Sequence, residues 1–215
     1  MKKITSIVLN CIIILVVILG TGLSPAFAKD NGVKQSHNHH GKAFLKNLAT
    51  NEKIDLPVTV IESEDGSSTS FEVIVMSGLL NDSKTRYDTT ASVSLTIVMY
   101  YDAHYVPYSV AMDRSNAKWQ KFDNTVTIVN ASMKNAVLGT TEAGSQINQT
   151  QNGTIGTPSL NTWYVLTPPW RGTYVYINDI SYQTSRADST LRRGGSSWSL
   201  GVCVAEGGSA SINCS

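Results

Sequence analysis

In the ten residues from Ser92 to Tyr101, every second side chain is large and apolar. Val93, Leu95, Ile97, Met99 and Tyr101 share one side of an extended chain. Ser92, Ser94, Thr96, Val98 and Tyr100 share the other. That period of two predicts a strand with one buried face and a second face that is mostly wet. A lone strand is not stable, so the rest of the chain must supply partners for it.

The partners are predicted from the same signal. Leu56–Glu62 and Thr69–Ser77 form a hairpin across Asp65-Gly66, a dipeptide that suits a tight turn. Tyr105–Met112 follows a turn at Asp102–His104, and Lys118–Asn130 follows one at Asp113–Asn116, with Asp123-Asn124 marking a bulge or turn within it. Met133–Leu138, Trp163–Leu166, Tyr174–Tyr182 and Ser197–Val204 complete the set. Phe44, Leu45 and Leu48 have helical spacing and predict a short turn of helix over Ala43–Leu48. Thr184–Arg193 is polar and carries no strand signal. Gly139–Thr162 is polar over 24 residues and reads as a long surface loop or a polar hairpin. About eight to ten short strands without a long helix predict an all-β fold, an antiparallel, Greek-key-like β-sandwich.

Residues 1–28 have the form of a signal peptide. Lys2 and Lys3 precede an apolar run from Ile7 to Leu19, and Ala26-Phe27-Ala28 offers a small-x-small cleavage site. The expectation is a secreted, extracellular protein cleaved after Ala28. Residues 29–50 are expected to be a flexible, His-containing N-terminal arm, and 51–215 a single sandwich domain. Beyond residue 28 there are 15 basic and 16 acidic residues. That balance argues against nucleic acid as a partner, because phosphate binding needs clustered cations. Cys203 and Cys214 are expected to form a disulfide in an exported chain, closing a Gly- and Ser-rich loop and adding on the order of 3 kcal/mol.

The chain holds no Gly-x-Ser-x-Gly elbow, His-Glu-x-x-His helix or phosphate loop. His104 is the only histidine outside the arm. A small hydrolase would use it as base, with Asp102 or Asp113 as orienter and a serine as nucleophile. No particular serine is marked for that role, so the protein is read as non-catalytic. His37, His39 and His40 suit Zn, Cu or Ni, but no carboxylate or cysteine nearby completes a set. No cofactor and no metal is expected.

Two aromatic groups are the candidates for binding. One lies around Tyr100, Tyr105 and Tyr108. The other joins Trp163 to Trp170 and Arg171 across a Pro-Pro turn. Rigid aromatics and arginine are favoured at recognition hot spots, and flat rings stack on sugars. The expected function is therefore a binding protein for another protein or a cell-envelope glycan. The alternative is an antibacterial, bacteriocin-like or pore-forming protein acting on other cells, at their membranes or walls. It rests on the polar tract Gly139–Thr162, which has few of the apolar positions a membrane hairpin requires.

Overall fold

The computed structural model describes residues 39–80 and 90–208. The expected signal peptide, the arm as far as residue 38, His37 and Cys214 lie outside the described residues, and so does the expected Cys203–Cys214 bridge.

Two antiparallel sheets of six strands stack face to face as an all-β sandwich. Sheet A holds β1 (His39–Asn47), β2 (Lys53–Leu56), β7 (Val126–Thr140), β8 (Gln146–Gly156), β11 (Tyr182–Arg193) and β12 (Ser196–Gly207). Their order across the sheet is β2-β1-β12-β11-β7-β8. Sheet B holds β3 (Thr59–Glu62), β4 (Ser68–Met76), β5 (Ala91–Tyr105), β6 (Tyr108–Lys121), β9 (Tyr164–Leu166) and β10 (Val175–Tyr176). It runs β10-β6-β5-β4-β3, and β9 also pairs with β6. A single 3-10 turn at Ser77–Leu80 is the one helical element among the described residues.

The expected strand is β5, extended at both ends, but Ser92, Ser94 and Val98 on the face expected to be wet are buried. It lies in the middle of sheet B, between β4 and β6. Val93, Leu95, Ile97 and Met99 are wholly buried, opposite Trp119 and Ala117 on β6 and Phe71 and Val73 on β4. From sheet A, Leu45, Val126, Ala187, Leu191, Leu200 and Val202 close the core.

Several expectations are corrected. The arm ends earlier than predicted, because His39–Asn47 is β1, paired with β12 on one side and β2 on the other. Ala43 and Leu45 point into the core, so a period of two overrides the helical spacing of Phe44, Leu45 and Leu48. Leu56 does not join the β3–β4 hairpin; it ends β2 in the opposite sheet. The turn between β5 and β6 falls at Val106-Pro107, not at Asp102–His104. Asp113–Asn116 is not a turn either: Asp113 is the extra residue of a bulge inside β6. Lys118–Asn130 is divided between β6 and β7 at the turn expected around Asp123-Asn124, but Met133–Leu138 is the continuation of β7 and not a separate strand. Of Tyr174–Tyr182, only Val175–Tyr176 and the final residue lie in strands.

The polar stretches are strands as well. Within Gly139–Thr162, Gln146–Gly156 forms β8 on the edge of sheet A. Thr184–Arg193 belongs to β11, an interior strand between β12 and β7. Two of its buried polar groups reach other strands: Ser185 Oγ donates to Asn135 Oδ1 at 2.8 Å, and Gln183 reaches the backbone of β6.

Candidate functional site

The outward face of sheet B gathers partly exposed rings and charges around the exposed Trp163. Alternation along β5 turns Thr96, Val98, Tyr100, Asp102 and His104 to this side. β6 sets Lys118, Asn116, Arg114, Ala111 and Ser109 opposite them. The Arg114 guanidinium lies over the Tyr100 ring, 4.1 Å from its centroid. Lys118 Nζ lies 4.7 Å from the centroid of Trp163, the last residue of the β8–β9 connection. Arg114 also pairs with Asp113 at 2.5 Å, and Asp113 takes a second cation from Arg171. The bulge in β6 has a local purpose here, since it brings Asp113 between the two arginines. The ring quadrupole attracts a cation placed over its face, so each contact favours one orientation of its ring.

A second group lies further along the same face, where the β7–β8 turn arrives from sheet A. Thr141 bridges to Val175, and Glu142 N donates to Tyr174 O at 3.1 Å. This places the Glu142 carboxylate over the end of β5–β6. Its Oε1 lies 2.8 Å from His104 Nδ1 and accepts the Ser109 hydroxyl as well. The Ser109 hydroxyl first, and His104 second, hold the Glu142 carboxyl below its ordinary pKa. The Tyr174 ring stacks on His104 at 3.9 Å and 9°. Its hydroxyl donates to Asp102 Oδ2 at 2.5 Å, which pushes the phenol pKa up.

This geometry corrects the expected orienters of His104. Glu142 contacts the imidazole, Asp102 is held by Tyr174, and Asp113 is held by arginines. Ser109 is buried and donates to the same carboxylate oxygen that His104 contacts. A serine nucleophile requires its hydroxyl on the base, with the carboxylate behind. Here the carboxylate is at the centre. The arrangement presents a fixed ring pair flanked by two carboxylates, which is suited to contact with a polar, flat ligand.

The six predicted binding residues separate. Tyr100 and Trp163 lie on the outward face, and Arg171 joins them through Asp113. Tyr105 is half-exposed at the β5–β6 turn, its ring 6.2 Å from that of Tyr108. Tyr108 points inward, and its hydroxyl donates to Glu206. Burial first, and the Glu206 charge second, drive the Tyr108 phenol pKa well up. Trp170 is 4% exposed and fills a small second core with Val137 and Val175. The loop carrying it lies on the inner side of β7–β8, so its ring cannot serve a surface site.

His39, taken from the sequence as part of a solvated tract, is enclosed between the sheets. Its Nδ1 lies against the Glu206 carboxylate. Its Nε2 lies 3.1 Å from Tyr101 Oη, 3.2 Å from Thr69 Oγ1 and 3.6 Å from Glu62 Oε1. Among the described residues, no group of three His, Cys, Asp or Glu is placed to hold a metal ion. No protein-family model matches the chain, and no curated protein matches it.

Proposed function

We propose that this is a secreted, non-catalytic binding protein that recognises a cell-envelope glycan through the outward face of sheet B. The observation that carries the reading is the row of ordered rings on that face. Tyr100 and Trp163 are each steadied by a cation, and Tyr174 by His104. Asp102 and Glu142 stand beside Tyr174 and His104, and Gln120 lies further along β6 on the same face. Sugars offer apolar ring faces and a rim of hydroxyls, so flat aromatics beside fixed acceptors match both. Export with cleavage after Ala28 and a Cys203–Cys214 bridge belong to the same reading. The intact mass of the secreted chain, before and after reduction, tests both.

Co-sedimentation with purified peptidoglycan tests the binding. The wild-type chain is expected in the pellet, and Trp163→Ala and Tyr100→Ala in the supernatant. Wild-type protein that stays in the supernatant would oppose the glycan reading. Leakage from liposomes in a parallel assay would favour the membrane-active alternative. The structure offers that alternative little support: Asn148, Thr150, Asn152 and Thr154 on β8 are all polar and exposed.

A further inference from the structure

Sheet edges present unpaired backbone groups, and folded proteins blunt them with short strands, charge or proline. Most edges here follow that rule. β2 and β3 have four residues each and carry Lys53, Asp55 and Glu62. β9 and β10 have three and two. β8 departs from it. It runs for 11 residues on the edge of sheet A and contains no Lys, Arg, Asp, Glu or Pro.

Its open side can be read from the turn that precedes it. Thr141 N donates to Ser145 O at 2.8 Å, so Thr141 and Ser145 are a hydrogen-bonded pair. Such pairs alternate with non-bonded pairs along an antiparallel ladder. In the register Leu138↔Asn148, Ala136↔Thr150 and Lys134↔Asn152, the backbone groups of Asn148, Thr150 and Asn152 therefore point away from β7. The ladder is regular from Gln146 to Thr154 and shifts only at Ile155.

The residues along this edge form a palindrome: Asn148-Gln149-Thr150-Gln151-Asn152. Antiparallel pairing of two copies reverses one strand against the other. Thr150 then meets Thr150, Asn148 meets Asn152, and Gln149 meets Gln151. Every opposed pair is uncharged and able to hydrogen-bond side chain to side chain. The same axis brings the outward N–H and C=O groups of Thr150 onto those of its mate.

We propose that β8 is a dimerisation edge, on which a second copy of this chain pairs antiparallel about a two-fold axis through Thr150. The occupant is a second copy because the palindrome complements itself. A charged or apolar peptide would find neither countercharge nor pocket there. Pairing joins two A sheets into one continuous sheet. It also consumes both edges, so assembly stops at two. Each particle then carries two copies of the sheet B face.

Sedimentation velocity of the full chain across micromolar to sub-millimolar concentrations tests the idea, with circular dichroism as a check on folding. The wild type is expected to show a monomer–dimer equilibrium. Thr150→Lys sets two ammonium groups opposite each other and is expected to weaken dimerisation by about tenfold or more. Register is tested separately by mild oxidation, read on non-reducing gels against the wild type. Thr150→Cys is expected to form a covalent dimer much faster than Asn148→Cys, because only position 150 faces itself. A chain that stays monomeric throughout, a dimer indifferent to Thr150→Lys, or equal cross-linking at 148 and 150 would each overturn the proposal.

Discussion

The side chain of Gln183 on β11 crosses between the sheets and accepts the Met112 N–H of β6 at 3.0 Å. Its amide nitrogen donates to the Val110 carbonyl at 2.5 Å. β6 is paired by β10 at Ser109–Val110 and by β9 at Ser115–Ala117, so the glutamine serves the gap between two short strands. Replacing it leaves a buried donor unpaired. Gln183→Leu is expected to cost about 1–3 kcal/mol in urea unfolding. Ser189, on the same strand, is buried and its hydroxyl makes no hydrogen bond. Ser189→Ala is therefore expected to be neutral within about 0.5 kcal/mol or slightly stabilising.

Sheet spacing is set in part where β1 has no side chain. A Cβ at Gly41 would lie 2.5 Å from Cδ1 of Phe71, a ring wholly buried in sheet B. Gly41→Ala is expected to destabilise by about 1–3 kcal/mol, because neither the ring nor the strand can yield cheaply. Gly195, in the β11–β12 turn, would meet nothing within 4 Å. Gly195→Ala is expected to leave the melting temperature unchanged or raise it slightly. Thermal melts of the two variants make the comparison.

The β3–β4 turn is held by a carboxylate. Asp65 Oδ1 accepts the Ser67 N–H at 3.0 Å, and the Ser63 and Ser67 hydroxyls at 2.7 Å each. Led by the Ser67 N–H, these donors lower its pKa from 3.8 to about 2. A carboxyl depressed on folding stabilises the folded state above the unfolded pKa. That contribution is lost as pH falls from 3.8 through about 2. Carboxyl chemical shifts in an NMR titration should show Asp65 protonating near the bottom of that window, and the turn amides should shift with it. A midpoint near 3.8 would contradict the hydrogen-bonded turn.

At alkaline pH the limit is Tyr101. Burial between the sheets is the main cause that raises its phenol pKa from 10.0 to about 12. The unfolded chain loses this proton first, so the folded state binds more protons above pH 10. The tyrosine's contribution to stability is complete below pH 10 and is lost as pH rises through about 12. Absorbance titration near the phenolate band should show exposed tyrosines ionising first and Tyr101 late, together with unfolding. Tyr101→Phe is expected to remove part of that late step.

β5 was legible because its burial is a local matter: one face is apolar, and every second residue falls on it. β11 was not, because Gln183 and Ser185 are buried by virtue of partners on other strands, Met112 and Asn135. No local pattern announces such partners. β8 needs only a backbone ladder to β7, so its side chains carry no apolar period. β1 misled because Phe44, Leu45 and Leu48 fit a helix while Gly41 and Ala43 are too small to mark the strand's inner face. At the site, Tyr100, Trp163 and Arg171 could be chosen as aromatics and a cation near turns. Glu142 and Tyr174 could not, because their contacts to His104 and Asp102 span 38 to 72 residues.

The account stands on the outward face of sheet B being the recognition surface, and one comparison tests that most directly. Calorimetric titration with soluble peptidoglycan fragments would be run on the wild type, Tyr100→Ala/Trp163→Ala and Trp170→Phe. The double variant should bind at least about tenfold more weakly, a loss of about 1.4 kcal/mol, with its fold intact. Trp170→Phe, changed in the interior, should bind as the wild type does. Undiminished binding by the folded double variant would contradict the account.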